Sequence, residues 1–167
     1  ILEAIEQILL PLADLKGQRI LVSAGPTQEA IDPVRYISNR SSGKMGYAIA
    51  EAARNRGAEV ILVSGPTALT PPAGIRVVPI TTAKEMTEAM SAQFGWSSIV
   101  IMAAAVADFR PKAPATQKLK KGTAAVPPLE LERAPDILAM LSAKRTSQIL
   151  VGFAAETEDV IANARKK

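Results

Sequence analysis

The chain has 167 residues, enough for about one domain with a core of ordinary size. Its formal net charge of +4 is too small to predict nucleic acid as a partner, although it fits anionic ligands. Because the sequence has no Cys and no His, it excludes thiol nucleophiles, disulfides, Cys/His zinc sites and Ser-His or Cys-His catalysis.

The first segment, residues 1–16, is apolar, favours helix and is interrupted by Pro11. We interpret it as a linker leading into a domain that spans residues 17–167. Neither this segment nor any other reaches the roughly 20 apolar residues of a membrane span, and nothing at its start resembles a signal peptide. The sequence therefore predicts no membrane partner.

A repeat of apolar strands and helices follows. Five buried strands are predicted, at 19–25, 59–65, 75–80, 97–109 and 148–156, with an exposed strand at 129–132. Helices are predicted from the polar turn at 38–46 to Gly57, at 81–94, at 134–145, and from 157 onward. Continuous apolar strands alternating with helices predict an α/β, Rossmann-like fold of three layers, with a mainly parallel sheet and helices on both faces.

The helices carry start and stop signals. In the first, apolar residues recur at helical spacing, at Met45, Ala48, Ile49, Ala52 and Ala53. Thr81 or Thr82 is expected to cap the second, and the third is expected to hold Pro135 and Asp136 in its first turn. Residues 110–128 break the pattern, because they are rich in proline and lysine, and a loop of that length is usually functional or disordered.

Unusual residues follow the predicted strands. In an open parallel sheet, ligands bind beyond the carboxyl ends of the strands. The residues found there are Gly25-Pro26-Thr27, Gly65-Pro66-Thr67, the run 103–108 and the run 153–156. The repeated Gly-Pro-Thr indicates either part of a site or ordinary turn chemistry between a strand and a helix.

Residues 39–46 are the strongest candidate for a site. Backbone N–H groups at a helix start, with glycines that permit close approach and serine hydroxyls beside them, favour phosphate or carboxylate. The alternative is an ordinary helix capped by Ser41 or Ser42. The segment is not a Walker A loop, and the turn after the first strand lacks the G-x-G-x-x-G dinucleotide fingerprint.

Three further features allow two interpretations each. The run Lys118–Lys121 could close over a polyphosphate or be a solvated charge cluster. Asp108 could hold Mg²⁺ or a ribose hydroxyl, or could cap the next turn. Phe153 could contact a ligand, although a core position is commoner for such a residue.

Five sequence blocks resemble the phosphopantothenoylcysteine synthetase (phosphopantothenate–cysteine ligase) family in order and spacing. They are AGPTQEAIDPVRYISNRSSGKMG, AAAVADFRP, KLKK, APDIL and VGFAAET. The resemblance implies a CTP-dependent acid–amine ligase of coenzyme A biosynthesis. In this family 4′-phosphopantothenate reacts with CTP to give an acyl-cytidylate and pyrophosphate, and L-cysteine then displaces CMP. Such chemistry depends on positioning and charge neutralisation rather than on His or Cys.

The resemblance also implies residue roles. Asn39 would polarise the acyl group, and Lys118 would reach over the reacting phosphates. The phosphopantothenate end would comprise Arg35, Asn39, Ser41, Ser42, Gly43, Lys44, Gly46 and Ala105. The nucleotide would contact Met102, Ala103, Ala104, Asp108, Lys118, Pro135, Asp136, Ile137, Leu138, Phe153 and Lys167.

Further properties follow from the same resemblance. It implies Mg²⁺ bound with the nucleotide, a cytoplasmic homodimer, and fusion to an FMN-dependent decarboxylase half that this sequence lacks. Because the family continues beyond Lys167 with another lysine and a strand, we expect the domain to be truncated at its C-terminus. The alternatives are an NAD(P)-binding oxidoreductase, which the missing glycine fingerprint disfavours, and a non-catalytic nucleotide-binding module.

Overall fold

The computed structural model describes residues 13–120, 128–155 and 158–159. The elements, in chain order, are β1 (Arg19–Ala24), β2 (Gln28–Ala30), β3 (Tyr36–Ser38), α1 (Lys44–Asn55), β4 (Glu59–Ser64), β5 (Arg76–Pro79), α2 (Ala83–Phe94), β6 (Ile99–Met102), β7 (Phe109–Pro111), β8 (Leu131–Arg133), α3 (Ile137–Ala143) and β9 (Ile149–Gly152). The predicted lead-in lies largely outside the described residues, as does the predicted helix after residue 156.

A five-stranded parallel sheet forms the centre of the molecule. Its strand order is β5-β4-β1-β6-β9, so the chain builds outward from β1 in one direction and then in the other. The strands of this sheet correspond to the five predicted buried strands, which confirms the predicted α/β class. The change of direction places a topological switch point between β1 and β6.

Helices cover both faces of the sheet, as the sequence predicted. Because side chains alternate along a strand, Ile20 and Val22 of β1 face α1, whereas Leu21 faces α2 and α3. The residues packed on the α1 side are Ile20, Val22, Ala24, Tyr47, Ala50, Ala53, Ala58, Val60 and Leu62. Those on the other side are Leu21, Ile61, Val63, Ile80, Met86, Met90, Phe94, Val100, Ile137 and Leu141. Each large side chain buried here contributes about 1.5–3 kcal/mol.

The buried face of α1 differs from the apolar pattern of its sequence. The helix forms as predicted, but its buried residues are Gly46, Tyr47, Ala50 and Ala53, whereas Met45 is 48% exposed. Gly46 explains the difference, since a Cβ there would lie 2.5 Å from the Cβ of Ala24. The missing side chain lets α1 lie directly on β1, where Gly46, Ala50 and Ala53 pack closely.

Helix boundaries refine two predictions. Thr82, rather than Thr81, is the N-cap of α2 and forms a capping box with Glu85. Helix α3 begins at Ile137, three residues later than the predicted start at 134, because Asp136 is its N-cap and accepts a hydrogen bond from Ala139 N. Pro135 therefore precedes the helix.

Two short antiparallel hairpins stand at the carboxyl edge of the sheet. Strands β2 and β3 pair between β1 and α1, and β7 pairs with β8 between β6 and α3. Only β8 was predicted, at 129–132, two residues earlier than it begins. Strands β2, β3 and β7, of three residues each, show no recognisable alternating pattern in the sequence. Within the ranges described, no helix is long and apolar enough to cross a membrane.

Candidate functional site

The site is built around the switch point between β1 and β6. Beyond these strands the backbones stay paired through a bridge between Pro26 and Ala105. Ala105 N donates to Gly25 O at 2.9 Å, and Thr27 N lies 3.4 Å from Ala105 O. The turn after β1 and the run after β6 therefore form one continuous rim, where open α/β sheets bind ligands.

Asn39 lies on this rim. Its side-chain Nδ2 donates to the carbonyl oxygen of Val106 at 2.9 Å. Beside it, the Ser38 hydroxyl donates to Thr27 O at 2.7 Å, and the fully buried Thr27 hydroxyl accepts from Ala107 N at 3.0 Å. The structure thus joins the predicted catalytic asparagine to the predicted nucleotide-binding run.

The N-terminus of α1 is open. Its N-cap is Gly43, with φ of 76°, and this glycine has no side chain to cap the helix. The predicted alternative of a Ser41 or Ser42 cap is therefore wrong: Ser41 Oγ accepts from Gly43 N at 3.3 Å, and Ser42 Oγ lies 3.5 Å from Lys44 N. The first turn carries no acidic residue. Its N–H groups, two serine hydroxyls and Lys44 make a positive, donor-rich corner suited to an anion.

The two Gly-Pro-Thr turns pack against each other next to this corner. Gly65 N donates to Ala24 O at 2.9 Å, and a Cβ on Gly65 would lie 1.8 Å from Pro26 O. A Cβ built on Gly43 would lie 2.7 Å from Thr67 Cγ2, and one on Gly25 would lie 2.9 Å from it. These glycines therefore permit close backbone contact, which places the second turn beside the start of α1.

The Arg35 guanidinium is hydrogen-bonded to other groups of the protein. Its guanidinium binds the Asp32 carboxylate through Nε at 3.0 Å and Nη2 at 2.5 Å, and Nη2 also donates to Leu119 O at 2.7 Å. Hydrogen bonds from Arg35 and from backbone N–H groups hold the pKa of Asp32 well below its usual range. The half-exposed Arg35 lies between the hairpin turn and the residue after Lys118.

The predicted nucleotide residues converge from three elements. Ala104 N donates to the buried Ser23 hydroxyl at 3.1 Å, and Asp108 O accepts from Ala134 N at 2.8 Å. The second bond joins the run after β6 to the segment before α3. At the end of β9, a Cβ on Gly152 would lie 2.8 Å from Leu138 Cδ2. Residues 102–108, 134–138 and 152–153 therefore occupy one edge.

Individual side chains at this edge have different exposures. Asp108 is exposed, and Phe153 is 52% exposed, so the core interpretation of Phe153 is wrong. Ile137 is buried in the core, which leaves only its backbone for a ligand. The Asp136 carboxylate is engaged as a helix cap. Lys121 and Lys167 lie outside the described residues.

Two hollows flank the rim. One, of about 280 Å³, is lined by Lys44, Tyr47, Ala48, Glu51, Leu69, Thr70 and Pro72. The other, of about 600 Å³, runs from Leu138 and Gly152 along α3. Asn39 lines neither of these hollows, and its side chain is instead hydrogen-bonded to Val106 O on the rim.

The part of the chain that the structure describes contains no group of three acidic side chains that could hold a metal. Asp108 is a lone exposed carboxylate. Mg²⁺ commonly binds through substrate phosphates plus one or two carboxylates. The residues present fit an ion carried by a nucleotide and do not fit a protein-built metal site.

Sequence reasoning missed the buried polar residues that support this edge. Besides Thr27 and Asp32, Glu29 of β2 is buried and accepts from Ala83 N, at the start of α2, at 2.8 Å. These residues lie inside the first sequence block, but each accepts a hydrogen bond from a backbone N–H at least 54 residues away. Only the fold shows what they do.

The fold defines a doubly wound α/β protein, and several of the predicted site residues lie at the switch point of its sheet, beside the start of α1. The chain belongs to the family described as the DNA/pantothenate metabolism flavoprotein C-terminal domain, whose model matches residues 15–167.

Named relatives agree with this family. The chain is 52% identical over 156 residues to the coenzyme A biosynthesis bifunctional protein CoaBC of Bacillus subtilis, covering 93% of this chain and 38% of that protein. It is 52% identical over 165 residues to CoaBC of Vibrio parahaemolyticus, and the match covers 97% of this chain and 41% of that protein. A crystal structure of the C-terminal domain of a CoaBC protein superposes with a TM-score of 0.81 at 51% identity, covering 93% of this chain and 73% of that one. The chain thus spans about two fifths of the length of these curated relatives.

Proposed function

We propose that this chain carries the ligase step of coenzyme A biosynthesis, joining 4′-phosphopantothenate to L-cysteine at the expense of CTP. The observation that carries the proposal is the uncapped start of α1 beside the Asn39–Val106 hydrogen bond, at the switch point of the sheet. The relatives named for coenzyme A biosynthesis support the pathway assignment. CTP as the activating nucleotide rests on the resemblance of the sequence blocks.

The reaction proceeds in two displacements. The substrate carboxylate attacks the α-phosphorus of CTP, which forms an acyl-cytidylate and expels pyrophosphate. The cysteine amine then attacks the acyl carbon, loses a proton and expels CMP, which leaves an amide. Neither step needs a nucleophile from the protein, which agrees with the absence of Cys and His.

The start of α1 would bind the phosphate of 4′-phosphopantothenate. The donors available there are N–H groups of the first turn, the hydroxyls of Ser41 and Ser42, and the Lys44 ammonium. Gly43 and Gly46 leave room for a close approach, and Ala105 lies on the adjoining rim. Arg35 would contribute positive charge from the neighbouring hairpin, although Asp32 already neutralises much of it.

Asn39 would polarise the acyl oxygen. An asparagine amide carries two N–H bonds, and one of them donates to Val106 O. That bond fixes the plane of the amide, so the second N–H has a defined direction before substrate arrives. A preorganised donor aimed at the developing oxyanion lowers the barrier to attack by cysteine.

The nucleotide would lie along the other half of the rim. The backbone of Met102, Ala103 and Ala104 would read the base, with Phe153 against it, and Asp108 with the segment 135–138 would face the sugar and phosphates. Lys118 and Lys167 would contact the phosphates. Mg²⁺ bound to the nucleotide would neutralise phosphate charge, with Asp108 as the available protein carboxylate.

The assembly is also part of the proposal. The curated relatives are bifunctional by name and more than twice as long as this chain. We propose an FMN-dependent decarboxylase as the second activity of the protein that contains this domain, and a homodimer as its state in the cytoplasm.

The test incubates the full-length protein that contains this domain with 4′-phosphopantothenate, L-cysteine, CTP and Mg²⁺, with the Bacillus subtilis relative as positive control. We expect one pyrophosphate and one CMP for each amide formed, and slower reaction with ATP. Equal use of all nucleotides would contradict the role of CTP. CTP binding without turnover would favour a non-catalytic module, and NADPH binding without CTP binding would favour an oxidoreductase.

A further inference from the structure

One carboxylate connects the first hairpin to the segment that carries Lys118. Asp32 lies in the turn between β2 and β3, and its side chain is completely buried. Oδ1 accepts from Val34 N and Arg35 N, each at 2.8 Å. Oδ2 accepts from the Arg35 guanidinium and from Leu119 N at 3.1 Å. We refer to Asp32, Arg35 and Leu119 as the Asp32 clasp.

The clasp holds Leu119 by its backbone. The N–H of Leu119 donates to Asp32, and its carbonyl oxygen accepts from Arg35 Nη2 at 2.7 Å. A second attachment lies nearby, where Ala115 N donates to Ile31 O at 2.8 Å. The Leu119 side chain is 43% exposed, so apolar packing contributes little to its position. Polar contacts across 87 residues of sequence therefore fix this segment.

The position of Leu119 limits the position of Lys118. Adjacent Cα atoms are about 3.8 Å apart, so fixing both backbone groups of Leu119 confines the Cα of Lys118 to a small volume. A catalytic cation that is displaced by even about 1 Å can lose a large part of its effect.

We propose that Asp32 is a positioning residue of the ligase, which acts through Arg35 and Leu119 to hold Lys118 over the reacting phosphates. This inference rests on the proposed function, since it assumes that Lys118 contacts those phosphates. It assigns Arg35 a second task, because the same guanidinium that faces the substrate end closes the clasp.

The two oxygens of Asp32 have different partners, so a positioning role can be distinguished experimentally from a purely structural one. Oδ1 serves the local turn, whereas Oδ2 serves Arg35 and Leu119. Asp32→Asn keeps one oxygen to accept from Val34 N and Arg35 N, but replaces the acceptor for Leu119 N with a donor. The turn is therefore expected to persist while the clasp opens.

Hydrogen exchange tests the clasp without any substrate. In Asp32→Asn, amides of residues 115–119 should exchange about tenfold faster than in the wild type, while those of β1 and β4 are unchanged. Asp14→Asn is the matched control, since it removes another Asp–Arg pair, that of Asp14 with Arg56, before the start of β1. Unchanged exchange at 115–119 in Asp32→Asn would overturn the clasp.

Single-turnover kinetics test the effect on Lys118. Asp32→Asn should slow pyrophosphate release by about 10- to 100-fold with little change in the KM for cysteine, and Asp14→Asn should leave it within about twofold. In a Lys118→Ala background, Asp32→Asn should slow pyrophosphate release almost no further, because both changes remove the same interaction of Lys118 with the phosphates. If the rate losses of the two variants were instead additive, the inference would be overturned, even if hydrogen exchange at residues 115–119 changed as expected.

A second variant applies if Asp32→Asn does not fold. Leu119→Pro removes the donated N–H and leaves the Asp32–Arg35 pair in place, and Leu119→Ala is its control because it keeps that N–H. Only the proline variant should slow pyrophosphate release, and equal rates in both would contradict the clasp. A wild type that releases no pyrophosphate under conditions where the Bacillus subtilis relative does would instead refute the proposed function.

Discussion

The side-chain amide of Asn39 donates a 2.9 Å hydrogen bond to the carbonyl oxygen of Val106, which lies 67 residues further along the chain. Asn39 follows β3, and Val106 follows β6, so the bond crosses from the first hairpin to the rim of the neighbouring strand. Because this bond already orients the amide, the asparagine need not reorient when an acyl oxygen binds.

Asn39→Asp should slow the amide-forming step and let the activated acyl-cytidylate accumulate. A carboxylate cannot donate to Val106 O or to the acyl oxygen, and losing one such donor costs about 10²- to 10³-fold in rate. Rapid quench with chromatographic detection of the intermediate would measure this. Asn55→Asp, at the exposed end of α1, is the control and should behave like the wild type. Failure of the activation step before the amide-forming step would refute the role assigned to Asn39.

Thr27→Val should destabilise the protein by about 1–3 kcal/mol, because it leaves the N–H of the buried Ala107 without an acceptor. Valine has nearly the same shape, so the effect reports the lost hydrogen bond rather than a cavity. Urea unfolding would measure it. Thr70→Val, at an exposed position, should stay within about 0.5 kcal/mol of the wild type. Similar values for the two variants would show that the Thr27 hydroxyl is unimportant.

Gly43→Ala should cost about 1–2 kcal/mol and weaken binding of 4′-phosphopantothenate. Gly43 has φ of 76°, which an alanine adopts only with strain, and its new Cβ would lie 2.7 Å from Thr67 Cγ2. Gly95→Ala is the control, since Gly95 has φ of −67° with no atom within 4 Å of an added Cβ. Calorimetric titration with substrate and thermal unfolding would separate the two effects. Unaltered substrate affinity in Gly43→Ala would argue against an anion site at this helix start.

The Asp32 clasp should make stability depend on pH in the acid range. Arg35 lowers the pKa of Asp32 in the folded protein, whereas an unfolded aspartate titrates near about 3.9. The stabilisation is therefore complete above the unfolded pKa and is lost as pH falls through the folded pKa. The Tm difference between wild type and Asp32→Asn should be constant from about pH 8 to 5 and shrink below about pH 4. A Tm difference between the two proteins that is undiminished at about pH 2 would contradict the lowered pKa assigned to Asp32.

The sequence predicted the central elements well because their signals are local. Buried parallel strands such as β1 and β4 are continuous apolar runs, and Thr82 with Glu85 is a recognisable capping box. The apolar spacing predicted that α1 forms, but it does not coincide with the buried face of that helix. A glycine that allows close packing on Ala24 decided the orientation, and Ala24 lies 22 residues before that glycine in the sequence.

For the site, the sequence named residues but not their partners. The first block contains Asn39, Gly43 and Arg35, and the resemblance of that block gave them roles. Thr27 and Asp32 lie in the same block and have no distinguishing local pattern. Their importance comes from the hydrogen bonds they accept from Ala107 N and Leu119 N, which form only when these distant segments pack against the first hairpin.

By itself, then, the sequence determined the alternation of apolar strands and helices, the absence of thiol and imidazole chemistry, and membership in a ligase-like family through five ordered blocks. The tertiary structure alone decided that α1 starts without a side-chain cap, that Asn39 is oriented by Val106, and that Asp32 holds the backbone beside Lys118. The physical reason is range: strand and helix patterns arise from neighbouring residues, whereas buried polar groups find their partners only after distant segments pack together.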